Sequence, residues 1–253
     1  MPFDKLQNRL FHYTSLSTAL EFILPNRELL LNPLIRTNDP RENKNFVFSA
    51  KSWANLDNDD LKKNNKEISE ILREDCKVLC FSIDHKDYFG YEYARMWSHY
   101  GGNHKGVCLE LDKNVFIEEN IDIIKSDQFK KVKYFKLEFK EIQNQQKQID
   151  YTKIDEIGRD KYIKEHFRVE NLDFLYFQKN EEWKSEREMR VIYFSNKREN
   201  EFCSIQKSLK KIHLGIDFSD SYLPSIRSNL KGSNIDICRL EYSGNVRLTS
   251  KKI

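Results

Sequence analysis

The segment 183–190, WKSEREMR, holds the densest group of side chains that could do chemistry. If it forms a β-strand, Glu186, Glu188 and Arg190 share one face, because strand side chains alternate between faces. Two carboxylates in line with a guanidinium form either an exposed row of ion pairs, which is the default, or a charged binding site. The apolar run VIYF that follows adds weight to the second interpretation, since it indicates a strand entering the core.

A second polar group is the tetrapeptide HYTS at residues 12–15, which lies at a predicted junction between a strand and a helix. A histidine at such a junction can offer hydrogen bonds beside a cleft, with Tyr13 and Thr14 next to it. The alternative is a histidine that only fills the core or caps the helix. The residues alone leave both alternatives open.

A third group is MWSHYGGNH at residues 96–104, which places Trp97, His99 and Tyr100 within four positions. Tryptophan and tyrosine can stack on a planar ring and still offer a polar edge. The alternative is an aromatic helix end that packs into the core. The polar turn NDPRE at residues 38–42, which begins with Asn38, is grouped with these residues because it is polar; taken alone it indicates only a turn.

The elements that must position these groups follow from apolar patterning. Strands are predicted at residues 9–14, 29–31, 77–83, 105–111, 132–139, 188–194, 211–216 and 235–242. Helices are predicted from residues 15–17 to Pro25, at residues 60–75, 91–100 and 155–179, and at residues 221–230, with residues 32–42 as a loop. Because strands and helices are interspersed without a regular βαβ rhythm, the pattern predicts an α+β fold.

Composition sets the limits for this fold. With 253 residues, of which 39% are hydrophobic and 33% charged, the chain is predicted to form a single folded domain over residues 1–253. It has no apolar run long enough for a membrane span, and its N-terminus lacks a secretory signal, so we expect a cytoplasmic protein without a membrane partner. Five scattered cysteines indicate reduced thiols rather than disulfides or a zinc site.

Nucleotide-binding fingerprints are missing from the sequence. It has no G-x-G-x-x-G, no Walker loop and no H-E-x-x-H, and only eight glycines. Any nucleotide must therefore be held by side chains and ordinary loops. Net charge is only +3, although lysines crowd residues 130–140 and 207–211, which indicates either a solvated surface or a phosphate-binding patch.

Five sequence blocks together resemble a family of uncharacterised bacterial domains. They are FHYTSLSTALEFIL at 11–24, NDPRE at 38–42, VLCFS at 78–82, MWSHYGGNHKGVCLEL at 96–111 and KNEEWKSEREMRV at 179–191. The first block also resembles the opening of ADP-ribosyltransferase-like proteins, including nucleic-acid-modifying toxins and tRNA 2′-phosphotransferases. This resemblance implies a split, mostly antiparallel sheet with flanking helices and a cleft.

The same resemblance implies NAD as substrate and assigns roles to residues of this chain. His12 would hold the NAD, Ser82 would take the middle-strand position, and Glu188, paired with Glu186, would be the catalytic carboxylate. The further NAD-binding residues would be Tyr13, Thr14, Arg36, Asn38, Trp97, His99, Tyr100 and Arg190. In this hypothesis Tyr13 or Trp97 stacks on a ring, and Arg190 or Arg36 contacts the pyrophosphate.

The expected function is therefore an ADP-ribosyltransferase or NAD glycohydrolase, with RNA, DNA or another macromolecule as acceptor and a role as a toxin or antiphage effector. One rival is a metal-dependent nuclease or nucleic-acid-binding module that uses the lysines, with acidic residues around Glu186 and Asp39 holding a divalent metal. Another is a non-catalytic domain that binds NAD or ADP-ribose. Oligomeric state cannot be read from these residues.

Overall fold

A computed structural model describes residues 8–44, 46–51, 58–86, 88–136, 147–244 and 247–253. In these residues fifteen strands form, numbered here in chain order. They are β1 Arg9–Thr14, β2 Glu28–Leu30, β3 Asn32–Pro33, β4 Ser49–Ala50, β5 Cys76–Ser82, β6 Val107–Asp112, β7 Phe129–Lys131, β8 Lys133–Phe135, β9 Gln148–Ile149, β10 Gln178–Asn180, β11 Glu188–Phe194, β12 Phe202–Ser204, β13 Leu209–Leu214, β14 Asp236–Ser243 and β15 Arg247–Lys252.

The helices lie between these strands. A first helix runs through Leu16–Thr18, the π-helical turn Ala19–Ile23, and Leu24–Asn26. Further α-helical segments are Pro40–Asn43, Asn58–Glu74, Ala94–His99, Lys113–Glu119, Tyr151–Ile157, Arg159–Lys161, Arg168–Glu170, Leu172–Tyr176 and Leu223–Asn229, with a π-helical turn at Tyr162–Phe167. Short 3₁₀ turns are Leu34–Arg36, Ser126–Gln128, Glu181–Glu186 and Asp220–Tyr222. None of the described helices is long and apolar enough to cross a membrane.

Nine strands of the described chain form one mixed sheet, in the order β15-β14-β13-β6-β1-β5-β11-β7, with β3 attached to β5. The pair β13 and β14 is parallel, and the other pairs of this sheet are antiparallel. The predicted α+β class with a mostly antiparallel sheet is confirmed.

Side chains alternate between the two faces of the central strands, so the apolar core lies on both sides of the sheet. Leu10 and Phe81 pack on one face, in the cluster that contains the first helix. Phe11 and Tyr13 pack with Trp97 on the other face. Farther along β5 and β11, Val78 joins a third cluster with the helix Asn58–Glu74. Because β5 is covered on both faces, its sequence CKVLCFS is a nearly continuous apolar run.

Several predicted elements were wrong in extent. The helix expected at 155–179 is broken at Gly158, which has φ +87°, and at Asn171, and it ends at Tyr176. Gln178 and Lys179, expected in that helix, belong to strand β10 instead. The loop expected at 32–42 contains β3, a 3₁₀ turn and a short helix, and β15 follows the strand that was expected to close the chain.

Two further expectations concern lysines and cysteines. Of the strand expected at 132–139, β8 covers Lys133–Phe135, whereas residues 137–139 and Lys140 lie outside the described residues. Lys130 and Lys133 both pair with Asp173, so part of this basic stretch is neutralised locally. The five cysteines are free thiols, as predicted.

We expect truncation of Leu109 to test the central position of β6, which lies between β1 and β13. Leu109 is 0% exposed, so Leu109→Ala should lower the free energy of unfolding by about 2–5 kcal/mol. The matched control is Val169→Ala at a 64% exposed helix position, with an expected change within about 0.5 kcal/mol. Urea denaturation followed by circular dichroism measures both, and equal stabilities would contradict the buried position of Leu109.

Candidate functional site

A gap along one edge of β5 opens a cavity in the main sheet. One edge of β5 pairs with β11 over its whole length. The other edge pairs with β1 only at Ser82 and with β3 only at Lys77 and Val78. The residues between, Leu79–Phe81, have no strand partner on that edge within the described chain, and a cavity of about 310 Å³ lies there, called here the main cavity.

The main cavity collects residues that are far apart in the sequence. Phe11–Tyr13 of β1 and Val78–Ser82 of β5 form part of its wall. The rest comes from Leu30, Asn32, Arg36, Thr37, Asn38, Asp39, Glu42, Met96, Tyr100, Lys179, Glu186, Glu188 and Arg190. His12 and the two glutamates therefore border one shared space, the geometry that the sequence hypothesis requires.

His12 bridges the gap between β1 and β5 with its side chain. Its Nδ1 lies 3.1 Å from the carbonyl oxygen of Cys80. A carbonyl can only accept a hydrogen bond, so Nδ1 carries the proton and donates it. Burial lowers the pKa of His12 and outweighs the opposite effect of the Cys80 carbonyl. The imidazole is thus neutral at physiological pH, with Nε2 available as an acceptor.

The two glutamates reach the cavity from different elements, which corrects the predicted strand face. Glu186 ends the 3₁₀ turn Glu181–Glu186, and Arg187 then adopts a left-handed conformation with φ +48° before β11 begins at Glu188. Only Glu188 and Arg190 therefore share one face of a strand. Glu186 and Glu188 meet through Lys179 of β10, whose Nζ lies 2.9 Å from Glu186 Oε2 and 2.7 Å from Glu188 Oε2.

Arg190 extends this contact into a buried ion-pair chain. Its side chain is 0% exposed, and its Nε donates to Glu188 Oε1 at 2.5 Å. Its Nη1 donates to Glu42 Oε1 at 2.6 Å and to the carbonyl oxygen of Tyr176 at 2.8 Å. The ion-pair chain therefore runs Glu42, Arg190, Glu188, Lys179, Glu186, and its three carboxylates and two cations give a net charge of −1.

The charges of this chain are mutually fixed. Burial alone would raise the pKa of Glu188, but the nearby charges of Arg190 and Lys179 outweigh it and hold that pKa well below its usual range. Burial opposes the charge of Lys179, yet Glu188, Glu42 and Glu186 raise its pKa. By contrast, burial raises the pKa of Asp39 at the cavity wall.

Hydrogen bonds fix two further groups of the wall. The Tyr100 hydroxyl donates to Glu186 Oε1 at 2.8 Å, so both oxygens of Glu186 are held, one by Tyr100 and one by Lys179. Ser82 is buried, and its hydroxyl donates to the carbonyl oxygen of Glu186 at 2.8 Å. Ser82 thus anchors the end of the 3₁₀ turn that carries Glu186.

Four predicted contacts to a ligand need correction. Trp97 is 0% exposed, packs edge-on against Tyr13 and donates its indole N–H to the Tyr91 carbonyl, so it cannot stack on a ligand. Thr14 is buried and is not part of the main cavity wall. Arg190 cannot clamp a pyrophosphate, because its Nε and Nη1 are engaged inside the protein. His99 borders a different space, described next.

A smaller cavity of about 170 Å³, called here the side cavity, adjoins the main one. It is lined by Arg95, Met96, His99, Tyr100, Glu182, Trp183, Ser185 and Glu186. Met96, Tyr100 and Glu186 border both cavities and form the wall between them.

Sequence reasoning missed Lys179 and Glu42, and it considered Asp39 only as part of a rival metal site. All three lie inside the sequence blocks that carried the resemblance, NDPRE and KNEEWKSEREMRV, which was the available signal. Their roles were hidden because Lys179 falls in a segment with helical periodicity and Glu42 in one with turn composition. Among the described residues, no group of three or more His, Cys, Asp or Glu is placed to hold a metal ion.

The fold and the site define an α+β protein with a charged cavity at a gap in its main sheet. The family model described as Protein of unknown function (DUF2971) matches residues 96–191. The matched segment contains Tyr100, Lys179, both glutamates and Arg190, and it confirms the resemblance of this part of the chain to an uncharacterised family. Neither a curated protein nor a solved structure matches the chain.

Removal of the Arg190 charge should leave Glu42 buried without its ion-pair partner and Glu188 paired with Lys179 alone. We expect Arg190→Met to lower the free energy of unfolding by about 3–5 kcal/mol. Adding Glu188→Gln to that variant should cost less than the two single changes summed, because the ion pair between Arg190 and Glu188 is already lost. Urea denaturation measures all variants, with exposed Arg227→Met as control; additive losses would contradict the coupling.

The neutral state of His12 can be tested by NMR of the imidazole nitrogens. We expect a titration midpoint below 6.5 and a proton on Nδ1, with the signal assigned by its loss in His12→Asn. Since the folded-state pKa is lowered, the unfolded chain binds more protons below pH 6.5. The stability contributed by His12 is therefore present above pH 6.5 and lost as the pH falls; a midpoint above 6.5 would contradict this.

Proposed function

We propose that this protein cleaves the bond between nicotinamide and ribose in NAD, as an ADP-ribosyltransferase or an NAD glycohydrolase. The observation that carries the proposal is the convergence of His12, Glu186 and Glu188 on the main cavity. His12 is distant in the sequence from the two glutamates, which lie in adjoining elements, and the resemblance to ADP-ribosyltransferases implies the same positions.

The electrostatics of the cavity suit this reaction. When the ribose–nicotinamide bond breaks, its electron pair leaves with the nicotinamide nitrogen, and the sugar develops an oxocarbenium-like positive charge. The ion-pair chain carries one negative charge in excess, in a site largely shielded from water. A fixed negative charge in such a site stabilises a developing cation more than it would in water. Glu188 lies within this ion-pair chain and contributes its charge to the cavity, since it remains ionised at physiological pH.

The acceptor step falls to Glu186. An oxygen of the acceptor, or of water, forms the new bond to the ribose carbon and loses its proton. Glu186 borders the side cavity as well as the main one, so it can orient that oxygen and take the proton. Its hydrogen bond from Tyr100 holds the carboxylate in position. Burial raises the pKa of Tyr100, which keeps this hydroxyl a donor.

The nucleotide is held by the other side of the cavity. Neutral His12 accepts a hydrogen bond from a ribose hydroxyl through Nε2. Arg36 is exposed at the rim and has no ion pair with a described residue, so it replaces Arg190 as the partner of the pyrophosphate. A volume of about 310 Å³ is at the lower end of ligand pockets, typically about 300–1,000 Å³. The nicotinamide half therefore occupies the cavity, and the rest of NAD extends past the rim.

A second function is favoured by one feature of the same site. Lys179 lies against both carboxylates and Tyr100 holds the remaining oxygen of Glu186. A domain that binds NAD or ADP-ribose without turnover would keep the cavity and tolerate carboxylates engaged in this way. In that case NAD raises the melting temperature of the protein without release of nicotinamide.

The proposal predicts the effect of removing the Glu188 charge. Glu188→Gln keeps the shape of the side chain and should lower the rate of nicotinamide release about 100-fold or more. The matched control is Glu165→Gln at an exposed position of a helix, which should leave the rate unchanged. The assay is nicotinamide release from NAD, with and without RNA, DNA or protein.

A Glu188→Gln variant that failed to fold would also release nicotinamide more slowly, so two further measurements accompany the assay. Circular dichroism checks that each variant is folded. Glu186→Gln keeps the Glu188 charge, so it should lose transfer of ADP-ribose to an acceptor more than it loses nicotinamide release. Equal rates for the parent and a folded Glu188→Gln would reject the role of Glu188. If the parent neither releases nicotinamide nor gains stability from NAD, the use of NAD is rejected.

A further inference from the structure

The side cavity has the features of a second binding site. It lies between the helix Ala94–His99 and the 3₁₀ turn Glu181–Glu186, and at about 170 Å³ it is smaller than the usual pocket for a whole small molecule, about 300–1,000 Å³. Such a space fits one part of a larger molecule. Its wall offers an aromatic ring and two nitrogen donors, from Trp183, Arg95 and His99.

Trp183 provides a stacking surface. Its side chain is half-buried, and the Nζ of Lys179 lies 5.4 Å from the ring centroid. The ring thus already interacts with one cation from the side of the ion-pair chain. The remaining accessible surface, which lines the side cavity, suits a planar ring, because bases stack on tryptophan irrespective of sequence.

Arg95 and His99 provide donors for an anion. They are four residues apart on one helix, so they lie on the same face, and both are exposed. Nη1 of Arg95 makes only long hydrogen bonds, 3.4 Å to the Glu182 carbonyl and 3.3 Å to Ser185 Oγ. Nε and Nη2 donate to no residue that the structure describes, and they remain available to bind a phosphate in bidentate geometry.

The donors that remain free in the side cavity favour an anionic occupant. Both carboxylate oxygens of Glu186 are engaged, one by Lys179 and one by the Tyr100 hydroxyl. The contact of Arg95 with Glu182 is to the backbone carbonyl, at 3.4 Å. The groups left for a ligand are therefore an arginine, a histidine and an aromatic ring, which together match a base and its phosphate rather than a cationic side chain.

We propose that the side cavity binds one nucleotide of a single-stranded nucleic acid, with the base on Trp183 and the phosphate on Arg95 and His99. Binding itself does not depend on the proposed reaction. Because Glu186 belongs to the wall of both cavities, the bound nucleotide lies on the far side of the carboxylate that orients the acceptor. Its use as the ADP-ribose acceptor rests on the proposed function.

The test is titration of the 253-residue protein with a short single-stranded oligoribonucleotide, followed by tryptophan fluorescence. We expect quenching in the parent and its loss in Trp183→Phe, which retains the other two of the three tryptophans. Arg95→Gln should weaken binding about tenfold, since it removes a charged hydrogen bond to phosphate. Arg227→Gln, at an exposed position that borders neither cavity, should bind like the parent.

Three results would overturn the proposal. They are unchanged quenching in Trp183→Phe, equal affinity of Arg95→Gln and the parent, or quenching by an arginine-containing peptide but not by the oligonucleotide. Circular dichroism checks the fold of each variant. Nicotinamide release by the parent, measured separately, reports on the proposed function alone, so the two can fail independently. Quenching that persists at saturating NAD, together with weaker binding by Arg95→Gln, supports a site distinct from the main cavity.

Discussion

Arg190 carries a full positive charge at a position with no exposed surface, and the site is arranged around the need to compensate it. An isolated charge in such a place would cost several kcal/mol, so Glu188 and Glu42 must approach it from two different elements. Glu42 lies on the short helix Pro40–Asn43, which Asp39 caps through the backbone N–H of Arg41. The compensation therefore fastens a segment with turn-like sequence to the strand β11. The same requirement recruits Lys179 from β10 to Glu188, and through Lys179 it fixes Glu186.

The gap beside β5 forms the cavity that these charged side chains border. Had β1 continued to pair with β5 beyond Ser82, backbone hydrogen bonds would have closed the sheet and excluded the cavity. The Cys80 carbonyl is instead satisfied by the imidazole of His12, so the gap leaves this buried acceptor with a partner. Nε2 of the neutral His12, a hydrogen-bond acceptor, thus faces the cavity from β1. The ion-pair chain, with its excess negative charge, lies on the opposite side. This asymmetry suits a ligand with hydroxyl donors at one end and a developing cation at the other.

Much of the scaffold was predictable from the sequence, because β1, β5 and β11 are rich in apolar residues, most of which are buried. The convergence of His12 with Glu188 was predictable only through the resemblance, since pairing between distant strands leaves no mark on either segment alone. Glu186 was placed wrongly because Arg187 takes a left-handed conformation that is uncommon for a residue other than glycine. Lys179 was missed because apolar residues before it continue a helical spacing, whereas Gly158 and Asn171 break that helix. Trp97 was assigned wrongly because residue type alone does not distinguish a tryptophan that stacks on a ligand from one that packs in the core.

The positions of the protons restrict which group can act on an acceptor in the proposed reaction. The carboxylates around Lys179 raise its pKa, and burial raises that of Tyr100, so both keep their protons at physiological pH and neither can serve as a base. Glu188 is held ionised by two cations, which makes it a weak base although a strong electrostatic partner. His12 retains a free Nε2, but burial lowers its pKa, and it lies on the strand opposite the glutamates. Glu186 is the carboxylate that borders both cavities, and a proton that it receives neutralises the excess negative charge of the ion-pair chain. That neutralisation is favourable only after the cationic sugar has been consumed, so the charge that stabilises the transition state and the base that completes the transfer act in sequence.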